Sequence, residues 1–440
     1  MFNYIVPSTL ILLLTSNSFD CLLRVNNSYL DEILSQPKCD KALEETSSLP
    51  ISCGLSYDSE GSFMHQVEDL LEHQCDLIDP IRGNENDLLL QADQEVDFVV
   101  VGAGTAGSIV AGRLATTDEN WEVALLEAGG PYPTGCMFPG SYFSYAKSGV
   151  EYNWDFPLEP QEEACKGQTG GICRWPRGKG LGGTGIQHGM MYMRANPWDY
   201  NQWSNLGVDG WSYDEILPYF TVSENNIQIG DIYKAEYHGT NGPVTISQFR
   251  DHPELSEKLL AAGGEMGYSV GQDLNGESQL GFTLAQATHV NGSRLSSYNA
   301  YVAPLLGKQD NIIVSPYSYV TKIIFSDDNK NATGVEYMKN NETYRIFARK
   351  EVIISAGTIQ SPQILMLSGL GPREQLEDLD IEVIQDMPKV GQNLQNHISF
   401  SIKFLVNETC YEERLNEDNV YQYLTERNGP LSSTGLSQVI

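Results

Sequence analysis

The chain has 440 residues, enough for a large buried core and two structural domains. Its 27 basic residues face 58 acidic ones, a formal net charge of -31. That balance argues against a nucleic-acid partner, which needs clustered Lys and Arg, and against docking on anionic membranes; an acidic soluble surface accounts for it.

The opening MFNYIVPSTLILLLTSNSFD holds an apolar run from Ile5 to Leu14, too short to span a bilayer. It fits the core of a secretory signal peptide over residues 1–18, with Ser16 and Ser18 near a cleavage point, although no Lys or Arg precedes it. A buried apolar N-terminus is the other reading. No later segment is long and apolar enough to be a transmembrane helix. Eight cysteines and five Asn-x-Ser/Thr acceptors, at Asn26, Asn291, Asn331, Asn341 and Asn407, suit a secreted, extracellular glycoprotein. Cys165 and Cys173 flank KGQTGGI and read either as a loop staple or as two buried thiols. No His/Cys cluster has metal-ligand spacing.

Residues 19–94 form an acidic leader, in which Phe63, Val67, Leu70 and Leu71 recur at helical spacing. Then VDFVVVGAGTAGSIVAGRLA sets a Val-rich strand, Val96 to Val101, before a glycine turn. Ile109, Val110, Arg113 and Leu114 continue as a helix, and a second apolar strand runs from Val123 to Leu126. This is a βαβ unit. In its turn Gly102 permits the tight bend, Gly104 lets backbone approach a pyrophosphate, and Gly107 lets the helix pack close to the strand. The helix start at Thr105 and Ala106 offers free N–H groups to phosphates. Glu127, followed by Ala128, ends the second strand where an acid can bind a ribose hydroxyl.

Residues from about 150 to 290 are rich in Gly and aromatics, with few clear helices. NIIVSPYSYVTKIIF and FARKEVIISAGT read as strands, AGTIQSPQILMLSGLG as turn, helix and turn, and Ile398 to Ile402 as a half-exposed strand. Strands return after a long interruption, which predicts two interleaved domains.

The long motifs add more. WPRGKGLGGTGIQHGMMYMRANPWDYNQW from Trp175, GTIQSPQILMLSGLG from Gly357 to Gly371 and VGQNLQNH from Val390 to His397 resemble, in order, landmarks of the glucose–methanol–choline oxidoreductase family. GWSYDEILPYF, YHGTNGPV, NGSRLSS and NGPLSSTGL resemble its insect glucose dehydrogenase-like members. The resemblance implies an α/β fold. A Rossmann-like FAD-binding domain with a mostly parallel sheet would cover 95–200 and 291–395. An α+β substrate domain with an antiparallel sheet would be interleaved with it, over 201–290 and 396–440.

It also implies FAD as cofactor. Gly180, Gly182, Gly183 and Thr184 would pass backbone N–H groups along the flavin edge. His188, Gly189, Met190 and Met191 would run beside the ring, and Val320 would touch the adenine end. His188 stands where most relatives have Asn; it either hydrogen-bonds the flavin or fills space. Gln187 stands where some relatives tether FAD through His, so non-covalent FAD is expected. Gly185 replaces a common Ser or Thr, loosening the loop. His397 is read as structural, supporting the flavin and the domain junction; His65, His73, His238, His252 and His289 are read as surface or packing residues.

The implied reaction is hydride transfer from an alcohol, sugar or steroid alcohol to flavin, with a quinone or other external acceptor. The relatives' catalytic base and its partner follow a segment resembling H-x-x-G-T-x-x-M-G, which has no counterpart here. The chain is therefore expected to be a C-terminally truncated member with no catalytic residue of its own. Two other readings are a non-catalytic flavin-binding protein and an NAD-dependent dehydrogenase.

Overall fold

The strand read at Val96–Val101 is the core of β1 (Gln94–Val101), in a computed structural model that describes residues 93–142, 144–329, 331–397, 402, 404 and 416–440. The signal segment, nearly all of the leader with its amphipathic helix, His65 and His73, the sequons at Asn26 and Asn407, and most of the strand expected at 398–402 lie outside the described residues. Ile402 itself lies in irregular chain.

β1 is followed by α1 (Thr105–Ala115) and β2 (Val123–Leu126). Alternate β1 side chains enter opposite cores. Phe98 and Val100 pack with Ala111 and Ala115 of α1, while Val99 and Val101 face the other side with Ala124 and Leu126. A period of two buried on both faces is what makes the run continuously apolar. Each fully buried Val or Leu contributes about 1.5–3 kcal/mol.

The next stretch begins with a short ladder, β3 (Phe156–Pro157) with β4 (Arg174–Trp175), closed by the Cys165–Cys173 disulfide at a Cα separation of 5.5 Å. It continues through α2 (Pro197–Asn205), α3 (Tyr213–Ser223), β5 (Glu224–Asn226), β6 (Val244–Gln248), α4 (Glu254–Glu265), β7 (Gln286–Val290) and β8 (Ser293–Arg294). β5 to β8 form a second sheet, parallel at β5–β6 and antiparallel at β6–β7–β8. Three helices fall in this stretch, where few are clear from the sequence. α2 and α3 start with capping boxes, Asn196 with Asp199 and Ser212 with Glu215. That start signal stands in the sequence even where apolar periodicity is weak.

After α5 (Ser297–Tyr301) the chain returns to the first sheet as β9 (Ile312–Ser315), β10 (Tyr319–Phe325), β11 (Ala332–Lys339) and β12 (Glu342–Ile354), then enters α6 (Gly357–Leu367). The six strands lie in the order β10-β11-β12-β1-β2-β9. β12, β1, β2 and β9 are parallel, and β10–β11–β12 is an antiparallel meander. The sheet is thus assembled from two stretches of chain separated by the second sheet. No helix among the described residues is long and apolar enough to cross a membrane.

One buried network beside the second sheet has a pH consequence. Arg194 pairs with Glu224, while His238 reaches Glu224 through Nδ1 and Asp273 through Nε2, each at 2.8 Å. A ring that donates from both nitrogens is an imidazolium. Burial pulls its pKa down, but the hydrogen bonds to Asp273 and Glu224 outweigh it and lift the value to about 9. The folded state then binds a proton that the unfolded chain releases near pH 6.5. Stability from this site is complete below pH 6.5 and is lost as pH rises through 9, by a few kcal/mol in order of magnitude. The expected result is a denaturant midpoint that falls between pH 6.5 and 9, and a His238→Gln variant that is less stable at neutral pH and lacks this part of the decline. A parallel decline in the variant would rule His238 out as the source.

Candidate functional site

The parallel strands end at one edge, where β1 runs into the glycine turn. Gly102 takes φ +96°, and its N–H donates to the Leu126 carbonyl at 2.8 Å. A Cβ there would stand 2.6 Å from the Ser355 oxygen. Gly104 caps α1 with no side-chain hydrogen bond, leaving the first-turn N–H groups at Thr105 and Ala106 open to a ligand. Gly107 faces inward: a Cβ there would be 1.9 Å from the Gly102 oxygen. The three glycines therefore have the bend, approach and packing roles that their spacing predicts.

Glu127 is buried behind the turn. Its Oε2 accepts from the Ala103 N–H and its Oε1 from the Gly129 N–H, both at 2.9 Å. Burial raises its pKa to about 7, against the pull of these and other backbone N–H groups. The carboxylate thus braces the turn as well as facing the cleft, a second role that the motif alone did not disclose.

The Gly-rich loop lies on this turn. A Cβ on Gly183 would be 2.6 Å from Gly104 Cα, and one on Gly180 would be 2.7 Å from the Gly130 oxygen. Gly182 donates to Ala103 at 2.8 Å, Leu181 to Gly130 at 3.0 Å, and the Gly178 N–H to Thr184 Oγ1 at 3.1 Å. This amends the expectation that the loop offers its N–H groups to a ring edge. One of them fastens the loop to the β1 turn, one to the segment after β2 and one to the loop itself, so much of the loop's contribution is shape, a side-chain-free wall close to Gly104.

A cavity of about 460 Å³ opens between these parts. Gly102, Gly104, Thr105 and Ala106 form one side, Glu127, Ala128 and Val320 another, and Gly183 and Thr184 a third. Gly107, Gly180 and Gly182 stand behind the wall. Arg177, the stacked Trp154 and Phe156, and the start of α6 from Ser355 to Gln360 also face the cavity. Sequence reasoning missed these. Arg177 lies inside WPRGKG, where only the glycines carry an expected role.

His188, Gly189, Met190 and Met191 lie outside that cavity, just beyond Thr184, whose carbonyl accepts the His188 N–H at 3.2 Å. Met190 is buried with φ +64°, and its N–H donates to His188 Nδ1 at 2.9 Å. The His188 ring is exposed although protein packs closely around it. That crowding, and next the Arg294 guanidinium, push its pKa well below the usual histidine value. Met191 is exposed. His397 is exposed, whereas His238 and His289 are buried. Gly185 has no positive φ, and a Cβ there would make contacts no closer than 3.4 Å. Gly185→Ala should therefore change stability by less than about 1 kcal/mol, measured by denaturant titration. No group of three metal-ligating side chains occurs among the described residues.

Comparison with known proteins agrees with this geometry. The GMC oxidoreductase family matches residues 96–399. Glucose dehydrogenase [FAD, quinone] of Drosophila pseudoobscura pseudoobscura is 40% identical over 378 residues, 86% of this chain and 59% of that protein. Oxygen-dependent choline dehydrogenase 1 of Chromohalobacter salexigens is 37% identical over 317 residues, 71% of this chain and 54% of the relative. Among solved structures, pyridoxine 4-oxidase from Mesorbium loti superposes with TM-score 0.60 at 29% identity, covering 67% of this chain and 55% of that one. A formate oxidase of Aspergillus oryzae gives TM-score 0.66 at 26% identity, covering 78% and 61%. The chain thus spans a little over half the length of the curated relatives it matches. With the family match running from β1 past α6, and the glycine turn, Glu127 and the Gly-rich loop converging within it, the chain belongs to the GMC oxidoreductase family.

Proposed function

We propose that the cavity binds FAD non-covalently and that the chain belongs to a glucose dehydrogenase-like flavoprotein. That protein oxidises the CH–OH group of an alcohol or sugar and passes electrons to an external acceptor such as a quinone. One observation carries this reading: the uncapped start of α1, the Glu127 carboxylate and the close Gly104–Gly183 approach open onto one cavity.

The residues fit such a cofactor. The open N–H groups at Thr105 and Ala106 and the positive end of α1 suit a pyrophosphate. Glu127 lines the cavity, where its carboxylate can meet a ribose hydroxyl. A Cβ on Gly104 would meet only Gly183 Cα, at 3.7 Å, and would fill the gap that a flat or phosphate group needs. Bound FAD would supply the hydride acceptor; the chain holds and orients it and shields it from water. Gln187, at the position where some relatives carry a tethering His, offers no imidazole for a covalent link.

The test is a visible absorption spectrum of the purified chain, taken as isolated and after reconstitution with FAD, then after denaturation. Flavin bands that leave with the denatured supernatant are expected. Colour that stays with the precipitated protein would overturn the non-covalent assignment. A folded chain that takes up no FAD would overturn the cofactor.

We also propose that the protein is a secreted glycoprotein. Asn291, Asn331 and Asn341 are all exposed, at the β7–β8, β10–β11 and β11–β12 turns. Expression in a secretory host should deliver the chain to the medium with a glycosidase-sensitive mobility. Retention inside the cell without glycan would defeat the proposal.

A further inference from the structure

Arg294 is the largest fully buried side chain among the described residues, and it carries a charge with no carboxylate within ion-pair distance there. Its guanidinium instead gathers backbone carbonyls from distant parts of the chain. Nε donates to Cys136 at 2.9 Å, and Nη1 donates to Gly185 at 3.2 Å and to His188 at 2.7 Å. Nη2 is buried and has no partner. A buried cation with two N–H bonds unmade is costly, and packing alone would be served better by an apolar side chain. The arrangement calls for a functional reason.

We propose that Arg294 is a positioning residue for the proposed flavin site. It clamps the turn from Gly185 to Met190 so that His188 stands neutral, with Nδ1 held as an acceptor and Nε2–H left free to donate to a flavin ring lying beside the turn. This deepens the preceding reading and rests on it.

Three observations support the proposal. Both Nη1 bonds end on this turn, one at each side of Gln187, which fixes its curvature. Met190 keeps φ +64°, a strained conformation for a non-glycine residue that persists only where its surroundings over-determine it. Its carbonyl is held by the Thr288 N–H at 2.9 Å, and its side chain packs with Tyr142, Phe249 and Ala287. The Met190 N–H then donates to His188 Nδ1, so the ring proton must sit on Nε2, which makes no hydrogen bond among the described residues. The titratable groups that face this pair are Arg294 from β8 and, beyond it, Cys136 and Tyr145 from the segment after β2. Arg294 disfavours a second proton on the imidazole. A neutral Nε2–H donor on a rigid turn can support negative charge building on a ring beside it without giving up its proton.

The test uses the full chain without flavin, labelled with ¹⁵N-histidine, with His188→Asn assigning the resonance. The unaltered chain should show a neutral Nε2–H tautomer for His188 from pH 8 to pH 5. In Arg294→Met the proton affinity of His188 should rise at least tenfold, while the other histidines titrate as before. Arg294→Lys keeps the charge but cannot span the three carbonyls, and should give a mixed tautomer with protonation still suppressed. An Nδ1–H tautomer or an ordinary titration near pH 6.5 in the unaltered chain overturns the proposal, whether or not Arg294→Met folds. So does a folded Arg294→Met protein with unchanged His188. FAD added to the unaltered chain should shift the Nε2 signal; FAD that binds without moving it overturns the placement. If FAD does not bind, the cofactor reading fails on its own, and the flavin-free spectra still decide the clamp.

Discussion

Gly107→Ala is expected to leave no folded flavin-binding protein, whereas Gly104→Val should leave a folded chain that has lost its flavin. The two glycines lie three residues apart in one motif, yet they meet different surroundings. At Gly107 a methyl would stand 1.9 Å from the Gly102 oxygen and 3.2 Å from Ser355 Cβ. Both belong to the framework that joins β1, α1 and β12, so relief requires moving α1 off the sheet. Overpacking of a well-filled core costs about 1–3 kcal/mol, and a contact this short against backbone lies at or beyond the upper end. Gly104 has φ −76° and ψ −165°, which any residue can adopt, and its Cβ meets nothing closer than 3.7 Å. A side chain there enters the space reserved for ligand. Clashes worth about 3 kcal/mol correspond to roughly a hundredfold loss of affinity. Circular dichroism melting and the ratio of flavin to protein absorbance separate the two cases. A Gly104→Val protein that stays yellow would refute the cofactor assignment, and a stable Gly107→Ala protein would refute the packing role.

The βαβ unit was legible because each of its signals has a local cause. Val96–Val101 alternates between two buried faces, the glycines obey backbone sterics, and Glu127 follows β2 directly. The expected ends of β2, Val123 and Leu126, match the structure residue for residue. Signals that depend on distant partners were not legible. Arg294 lies within NGSRLSS, but its partners Cys136, Gly185 and His188 are more than 100 residues away, and no spacing rule connects them. Arg177 and Trp154 face the cavity only because β3 and β4 fold back over the Gly-rich loop. The helices between 197 and 265 are not clear from apolar periodicity alone. Ser212 with Glu215 and Asn196 with Asp199 would have marked two of them.

Glu127→Gln tests whether the carboxylate is a ligand group alone or also the brace of the turn. Both carboxylate oxygens accept backbone N–H groups, from Ala103 and Gly129. An amide must turn its NH₂ toward one of these donors, so one buried N–H is left facing another. Losing a charge-assisted bond and stranding a buried donor costs about 2–4 kcal/mol. The pH dependence supplies an independent sign. Burial lifts the Glu127 acid to about 7, against a model-compound value of 4.5. Between those values the folded chain binds a proton that the unfolded chain has released, so stability falls as pH rises through that window and levels off above 7. Glutamine has no proton to exchange, and the variant should lose this part of the slope while keeping the later decline between pH 6.5 and 9 assigned to His238. Denaturant midpoints measured from pH 4.5 to 9 on both proteins distinguish the cases. A variant as stable as the unaltered chain would show that the turn does not depend on the carboxylate. An unchanged slope below pH 7 would place the titrating group elsewhere. A less stable, flatter variant that also binds FAD weakly would show that one side chain both holds the glycine turn in shape and meets the ligand that the turn is shaped for.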